Sequence, residues 1–570
     1  VEVSQTFTVP AGETAVSVEV AVPNAPRWWP VGYGAQPLVH TAVKLVDREQ
    51  QLDGWTRDLG FRTLEINTTP DEYGTPFTFI INGEPVYVKG ANWIPDDHLL
   101  TRITRERLDE RINQALEANM NMLRIWGGGI YESEDFYELC DRAGVLVWQD
   151  FLLACAAYPE EEPFRSEFEA EARENVVRLM SHPSLVLFNG GNENLWGFMD
   201  WGWQEELEGR SWGLHYYREV FPKVVNELAP LTPYSDGSPY SPEFDLEDVH
   251  PNDPNHGTHH EWDVWNRIDY TNYRNNIPRF ASEFGFQAPP PWSTLVASVA
   301  GAADPDFDKA DETFLLHQKA DDGNGKLDRG LEPHLGIPAK FADWHWATQL
   351  NQARAVTYAI NHYRSWWPRN AGSIIWQIND CWPVTSWAAI DSNGLKKPLF
   401  YALAQSYADR LLTVQPREAG LALSVVNDSP TAWEGTLELS RQTIAGEVLA
   451  TAQVEVSVAK RAVETIILPA EVAQAVDETA EILVAQLGEF RTVHTWAPDV
   501  RLQTAPRPFQ ASAQAVLGGY AVVVKAEQAV LGLSVLADRV APDAQADRGV
   551  IDLPAGGEVT FSITTSAQVD

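Results

Sequence analysis

Between about residues 77 and 407 short apolar runs alternate with amphipathic stretches, and most runs stop at a glycine or a polar cluster. No other feature constrains the fold as much, because strands joined by helical crossovers pair in parallel and bury both faces. Residues 85–89 read as a strand leading into Gly90-Ala91-Asn92-Trp93. A helix is predicted from about Thr104, with Leu108, Ile112 and Leu116 on one face. A second strand, 121–126, runs into three glycines, and the helix after it is capped by Ser133 and stopped at Gly144. Residues 145–151 form the third strand, a charged helix spans 163–180, and the fourth strand starts near Leu185. Further strands are expected around 232–234, 247–250, 279–282 and 373–377. Eight strands with crossovers predict a (β/α)8 TIM barrel over 67–407, with any chemistry at the C-terminal strand ends.

The flanks read differently. Residues 1–66 alternate apolar and polar positions, as in Ala15-Val16-Ser17-Val18-Glu19-Val20-Ala21-Val22. This is the pattern of an immunoglobulin-like β-sandwich domain, but shorter than the roughly 100 residues a whole one takes. The chain is therefore expected to begin inside a domain. After 408 the helical period gives way to half-buried antiparallel strands, as in 421–426, 436–439, 454–458 and 465–468. A β-sandwich is expected over 408–497 and a small C-terminal one over 498–570, with the boundary near Ala497-Pro498. A chain of 570 residues is long enough for several such units.

A formal net charge of −38 opposes binding to a phosphate backbone, so no nucleic-acid partner is expected and a neutral substrate is. No apolar run approaches the ~20 residues of a membrane span, so no membrane partner is expected. Cys140, Cys155 and Cys381 show no metal-ligand spacing and read as reduced packing residues, which fits a cytoplasmic protein. Of 22 tryptophans, 17 fall between Trp93 and Trp387, in the barrel, where aromatic faces could stack on sugar rings or fill core.

Two glutamates stand out. Glu193, in Asn189-Gly190-Gly191-Asn192-Glu193-Asn194, follows the fourth strand, and Glu283, in Ser282-Glu283-Phe284-Gly285, closes another. Two carboxylates at barrel strand ends suggest cleavage of a glycosidic bond. A gap of about 5–5.5 Å would mean retention and roughly 6.5–9.5 Å inversion, a distance no sequence contains. On the retaining reading Glu193, beside the amide of Asn192, suits the acid/base, and Glu283 suits a nucleophile whose charge Arg124 could hold. Taken singly, each also reads as a loop or ion-pair residue. Two other clusters are set aside. Residues 321–328 resemble a calcium loop but place Lys326 where an acid or amide is needed, so a solvated turn is expected. His250, His256, His259 and His260 lack an accompanying acidic or Cys ligand pattern, so they read as hydroxyl-binding or loop histidines rather than a zinc site. No metal or cofactor is expected.

The motifs at 189–194, 279–286 and 122–129, together with Trp148-Gln149-Asp150-Phe151, Cys155-Ala156 and Tyr158-Pro159, closely resemble the β-mannosidases of glycoside hydrolase family 2. Trp29-Pro30, Leu59-Gly60-Phe61-Arg62-Thr63 and 376–383 extend the likeness, which runs from about Trp28 to Tyr407. The resemblance implies a retaining exo-glycosidase that removes terminal β-D-mannose from a β-mannoside or manno-oligosaccharide. It implies Glu193 as acid/base, Glu283 as nucleophile, Asn192 on the sugar 2-hydroxyl, Arg124 supporting Glu283, and Trp93, Trp201, Trp262 and Trp376 as pocket walls. Members of that family carry a jelly-roll domain ahead of the sandwich. Its absence here implies a pocket completed by a missing N-terminal domain, and weak activity of this chain alone. The alternatives are another exo-glycosidase of the family, acting as a β-galactosidase, β-glucuronidase or exo-glucosaminidase, and a non-catalytic carbohydrate-binding protein on the same barrel.

Overall fold

A computed structural model describes residues 1–242 and 244–567. Ahead of the barrel, β1 (Val39–Asp47) and β2 (Gln50–Leu59) form an antiparallel hairpin, and β3 (Leu64–Asn67), β4 (Thr78–Ile81) and β5 (Glu84–Val86) a second small sheet. The alternating run at 15–22 forms no strand and lies exposed. Alternation is not enough: an extended segment needs a neighbouring strand for its backbone groups, and among the described residues this run has none.

The eight barrel strands are β6 (Val88–Trp93), β7 (Met122–Ile125), β8 (Leu146–Asp150), β9 (Leu185–Asn189), β10 (Tyr234–Ser235), β11 (His259–Glu261), β12 (Ala281–Phe284) and β13 (Gly372–Ile375). Every adjacent pair is parallel, in the order β10-β9-β8-β7-β6-β13-β12-β11. Chain neighbours are sheet neighbours except at β10 and β11, and the last strand pairs with the first, as a TIM barrel requires. The remaining seam, between β10 and β11, is bridged where Tyr240 and Thr258 exchange backbone hydrogen bonds. The sixth strand is a correction: residues 247–250 lie in turns, and the strand runs instead through His259–Glu261.

Helices α1 (Arg105–Glu117), α2 (Glu134–Ala143) and α3 (Phe164–Leu179) return the chain between the first four strands. Thr104 caps α1 by accepting from the Arg107 backbone N–H. Gly144 ends α2 in the left-handed region, where a side chain would be strained. Residues 321–328, expected as a turn, instead begin the helix Gly323–Leu331, and Asp328 accepts from Trp344 Nε1 at 2.7 Å. No helix among the described residues is long and apolar enough to cross a membrane.

Behind the barrel lie a β-sandwich of three- and four-stranded sheets between Arg410 and Thr495, then a four-stranded and a two-stranded sheet between Phe509 and Thr564. Lys89, at the barrel's floor, ties the first of these on by reaching both Asp409 and Asp428 at 2.9 Å.

The barrel interior is layered because strand side chains alternate with period two. Met122, Trp148 and Leu187 join Phe77, Phe79 and Phe280 in an apolar floor closed from below by Trp28 and β4. Two residues further along the same faces stand Arg124, Asp150 and Asn189, all fully buried. The floor therefore ends where the polar layer begins. Phe280 packs on Phe77, Phe79 and Trp148 with ring centroids 5.8–6.2 Å away. Phe280→Ala is expected to destabilise the barrel by ~3–5 kcal/mol, read as a lower urea midpoint of tryptophan fluorescence, with Phe280→Leu well under half of that.

Candidate active site

Arg124 sits at the centre of the polar layer, and all five of its guanidinium N–H groups are engaged. Nε and Nη2 donate to Asp150 at 3.2 and 2.8 Å, Nη1 to Glu283 at 2.7 Å and to Asn92 at 3.0 Å, and Nη2 to Asn192 at 2.7 Å. Burial opposes the charge, but Asp150 and Glu283 outweigh it and hold Arg124 above its ordinary value. Asp150 also accepts from Trp148 Nε1, Asn189 Nδ2 and the Gly127 backbone N–H, so both of its oxygens are met by donors. Asn92 fixes the far side, its amide donating to the carbonyls of Ser282 and Ile375.

Glu283 lies on β12 with Oε1 on Arg124 and Oε2 accepting from Trp262 Nε1 at 3.2 Å. Burial raises it, Arg124 lowers it and Glu193 raises it again, to about 8.

Glu193 comes off the end of β9 through Gly190 and Gly191. A Cβ at Gly190 would stand 2.2 Å from the Asp236 carbonyl oxygen, and one at Gly191 would stand 2.9 Å from that of Leu153, so the turn has no room for side chains. Glu193 itself is left-handed, φ +60°, as the residue before α4 (Asn194–Asp200), a conformation that costs a non-glycine residue ~1 kcal/mol or more. Its backbone N–H donates to the Ser238 carbonyl at 2.8 Å, which holds it there. The turn points the carboxylate inward: Oε1 lies 2.8 Å from His260 Nδ1, and Oε2 accepts from the Cys155 thiol at 3.4 Å. One ligand atom each of Glu193, His260 and Glu283 lie within 4.8 Å of one another. The same three atoms could in principle hold a cation, but Glu283 is already ion-paired to Arg124 and Nδ1 is engaged by Glu193, so the donors here already balance one another.

The structure thus brings Glu193, Glu283, Arg124, Asn192 and Trp262 together. Asn192 has its carbonyl oxygen on Arg124, leaving Nδ2, among the described residues, with only Cys155 Sγ at 3.4 Å. Trp376 is half-buried, edge-on to Trp126 at 5.0 Å. Trp201, 38% exposed, packs on Trp196, whose ring faces His260. Trp93 is a correction. It is 1% exposed, packs on Phe136 of α2 and donates Nε1 to Glu132 at 2.9 Å. Alternation along β6 turns Asn92 into the barrel and therefore Trp93 out to the helices.

Asp150, Asn92 and His260 were not picked out as site residues from sequence. Asp150 had a visible signal, a lone carboxylate ending a strand that opens on Leu146-Val147-Trp148. His260 did not, because the four histidines that neighbour one another in sequence diverge in space. His250 reaches Asp200, His256 bonds Thr75, His259 bonds the Asn252 carbonyl, and only His260 enters the barrel, on β11 rather than in a loop.

β-Mannosidase B of Aspergillus flavus is 34% identical over 406 residues, 68% of this chain and 47% of that protein. The enzyme of the same name from Emericella nidulans is 35% identical over 394 residues, 66% of this chain and 46% of its own. The solved β-D-mannosidase of Dictyoglomus thermophilum superposes with a TM-score of 0.87 at 31% identity, over 96% of this chain and 66% of that one. The chain belongs to the β-mannosidase family. An exo-chitosanase of Amycolatopsis orientalis shares the fold, with a TM-score of 0.70 at 16% identity over 95% of this chain and 67% of its own. No protein-family model matches. The chain spans about half the length of the curated β-mannosidases it matches.

Replacing Arg124 by Met would leave Asp150 and Glu283 buried without their cation, and a loss of ~3–5 kcal/mol is expected in chemical denaturation. Arg124→Lys keeps the charge but can donate at most three hydrogen bonds. It should retain more stability than Arg124→Met yet still fall below the parent.

Proposed function

We propose that this chain is the catalytic part of a retaining exo-β-mannosidase. The observation that carries the reading is the approach of Glu193 and Glu283 from the ends of β9 and β12, with one oxygen of each within 4.8 Å of the other. That spacing favours the double displacement, since an inverting pair leaves room for a water between them. Glu283 attacks the anomeric carbon while Glu193 gives its proton to the departing oxygen. Glu193 then takes a proton from the water that attacks the glycosyl ester, and Glu283 leaves unchanged. Arg124 and the Trp262 indole N–H hold the negative charge on Glu283 before it attacks and again as the ester breaks. Asn192 Nδ2, with only a thiol for company, is left to donate to the sugar's 2-hydroxyl. Trp262 and Trp376 form the pocket wall and Trp201 its outer rim. The preference for mannose rests on the likeness to proteins named as β-mannosidases.

A panel of aryl β-glycosides tests this. The mannoside should be hydrolysed in preference to the galactoside, glucuronide and glucosaminide, and the first anomer seen by proton NMR should be β. A first-formed α-anomer, or a different preferred sugar, would refute it. Glu283→Ala should abolish turnover, whereas Glu193→Ala should cost ~100-fold or more on poor leaving groups and much less on activated ones.

The pH profile follows from the raised Glu283. Catalysis needs one proton in the site, and burial, with the neighbouring carboxylate adding to it, pushes Glu283 up to about 8. Hence kcat/KM is expected to fall on the alkaline side with a midpoint near there; a profile flat to pH 10 would contradict the assignment.

A further inference from the structure

His260 does more than touch Glu193. Its Nε2 lies 2.9 Å from Ser238 Oγ, Ser238 Oγ lies 2.8 Å from Ser282 Oγ, and Ser282 Oγ reaches the His259 carbonyl oxygen at 3.4 Å. A carbonyl can only accept, so it orients the whole file. Ser282 donates to His259, Ser238 donates to Ser282, and Ser238 is left to accept from an Nε2–H. Burial outweighs the pull of Glu193 and, with Arg124 and His259 adding to it, pushes His260 down to about 4. The ring is therefore neutral, and a neutral ring with its hydrogen on Nε2 presents a bare lone pair at Nδ1.

That lone pair faces Glu193 Oε1 at 2.8 Å and Glu283 Oε2 at 3.5 Å. Two acceptors do not rest 2.8 Å apart without a hydrogen between them, and with Nδ1 bare the hydrogen must belong to Glu193. The other oxygen agrees. Oε2 accepts from Cys155, a thiol that burial and the two glutamates keep well above its ordinary value and so protonated. Glu193 then has the bonding of a carboxylic acid, donating from one oxygen and accepting at the other. The remaining charged neighbour, Arg124, is committed to Glu283, Asp150 and the two amides.

We propose that His260, held as its Nε2–H tautomer by Ser238 and Ser282, is the positioning residue that keeps Glu193 in its acid form in the resting site. The proposal rests on the reading of Glu193 as acid/base and deepens it. Once Glu193 has given its proton to the leaving oxygen, its carboxylate faces a lone pair across 2.8 Å. That arrangement favours taking a proton from the incoming water, whose hydroxide goes to the anomeric carbon.

The test has two arms. Nitrogen-15 NMR of the imidazoles in the full chain, with His260 assigned by the loss of its signal in His260→Asn, reads the tautomer without any turnover. A neutral Nε2–H ring across pH 5–9 is expected; an Nδ1–H ring, or a ring that titrates near 6.5, would overturn the proposal. In the second arm, Ser238→Ala removes the acceptor that fixes the tautomer. The alkaline limb of kcat/KM on an aryl β-mannoside should move to lower pH, with the plateau below it reduced no more than several-fold, and Ser282→Ala should move it the same way by less. Superimposable profiles would refute the role of the file. If the chain cleaves no glycoside at all, the proposed function fails, while the tautomer arm still gives its own answer.

Discussion

A guanidinium with no access to water organises the working end of this barrel. Arg124 must be met on every N–H, because an unpaired donor on a buried cation costs more than any contact nearby returns. Its five bonds reach Asn92 on β6, Asp150 on β8, Asn192 after β9 and Glu283 on β12. Four strand ends are thereby set relative to one another by one planar group of fixed geometry. The two glutamates meet because Arg124 holds the nucleophile candidate directly and holds the acid candidate through the residue before it.

The apolar floor is the other half of that arrangement. Trp148 lies beneath the guanidinium, 5.4 Å from its centre, and Phe77, Phe79 and Phe280 pack under Trp148. A dry floor strengthens each electrostatic contact above it, and it raises the cost of a second negative charge beside the one Arg124 faces. One environment thus serves, in the proposed mechanism, both a glutamate that holds charge and a glutamate that gives a proton. Those are opposite requirements, and the difference between an Arg-paired oxygen and an imidazole-paired oxygen separates them.

Strand-to-helix alternation was readable along the chain wherever both signals were long. The first four strands and three helices lie where the apolar period and the Thr104 and Gly144 signals place them. The expected strand at 247–250 failed because one apolar residue, Val249, says little, while His259–Glu261 looks polar and is a strand only because the barrel needs a sixth stave there. The run at 15–22 failed for the opposite reason, having the right pattern and no neighbour to pair with.

Sequence alone determined the strand-end positions of Glu193 and Glu283 and the family likeness, since both are local strings that a glycine-terminated strand explains. Tertiary structure decided which side chains face each other across the barrel. It turned Trp93 outward because Asn92 faces in, and it picked His260 out of four neighbouring histidines. It also assembled a hydrogen-bond file from Ser238, His260 and Ser282, residues on different segments with no shared motif. Partners of that kind are chosen by the curvature of a closed sheet, and curvature leaves no mark on a linear pattern.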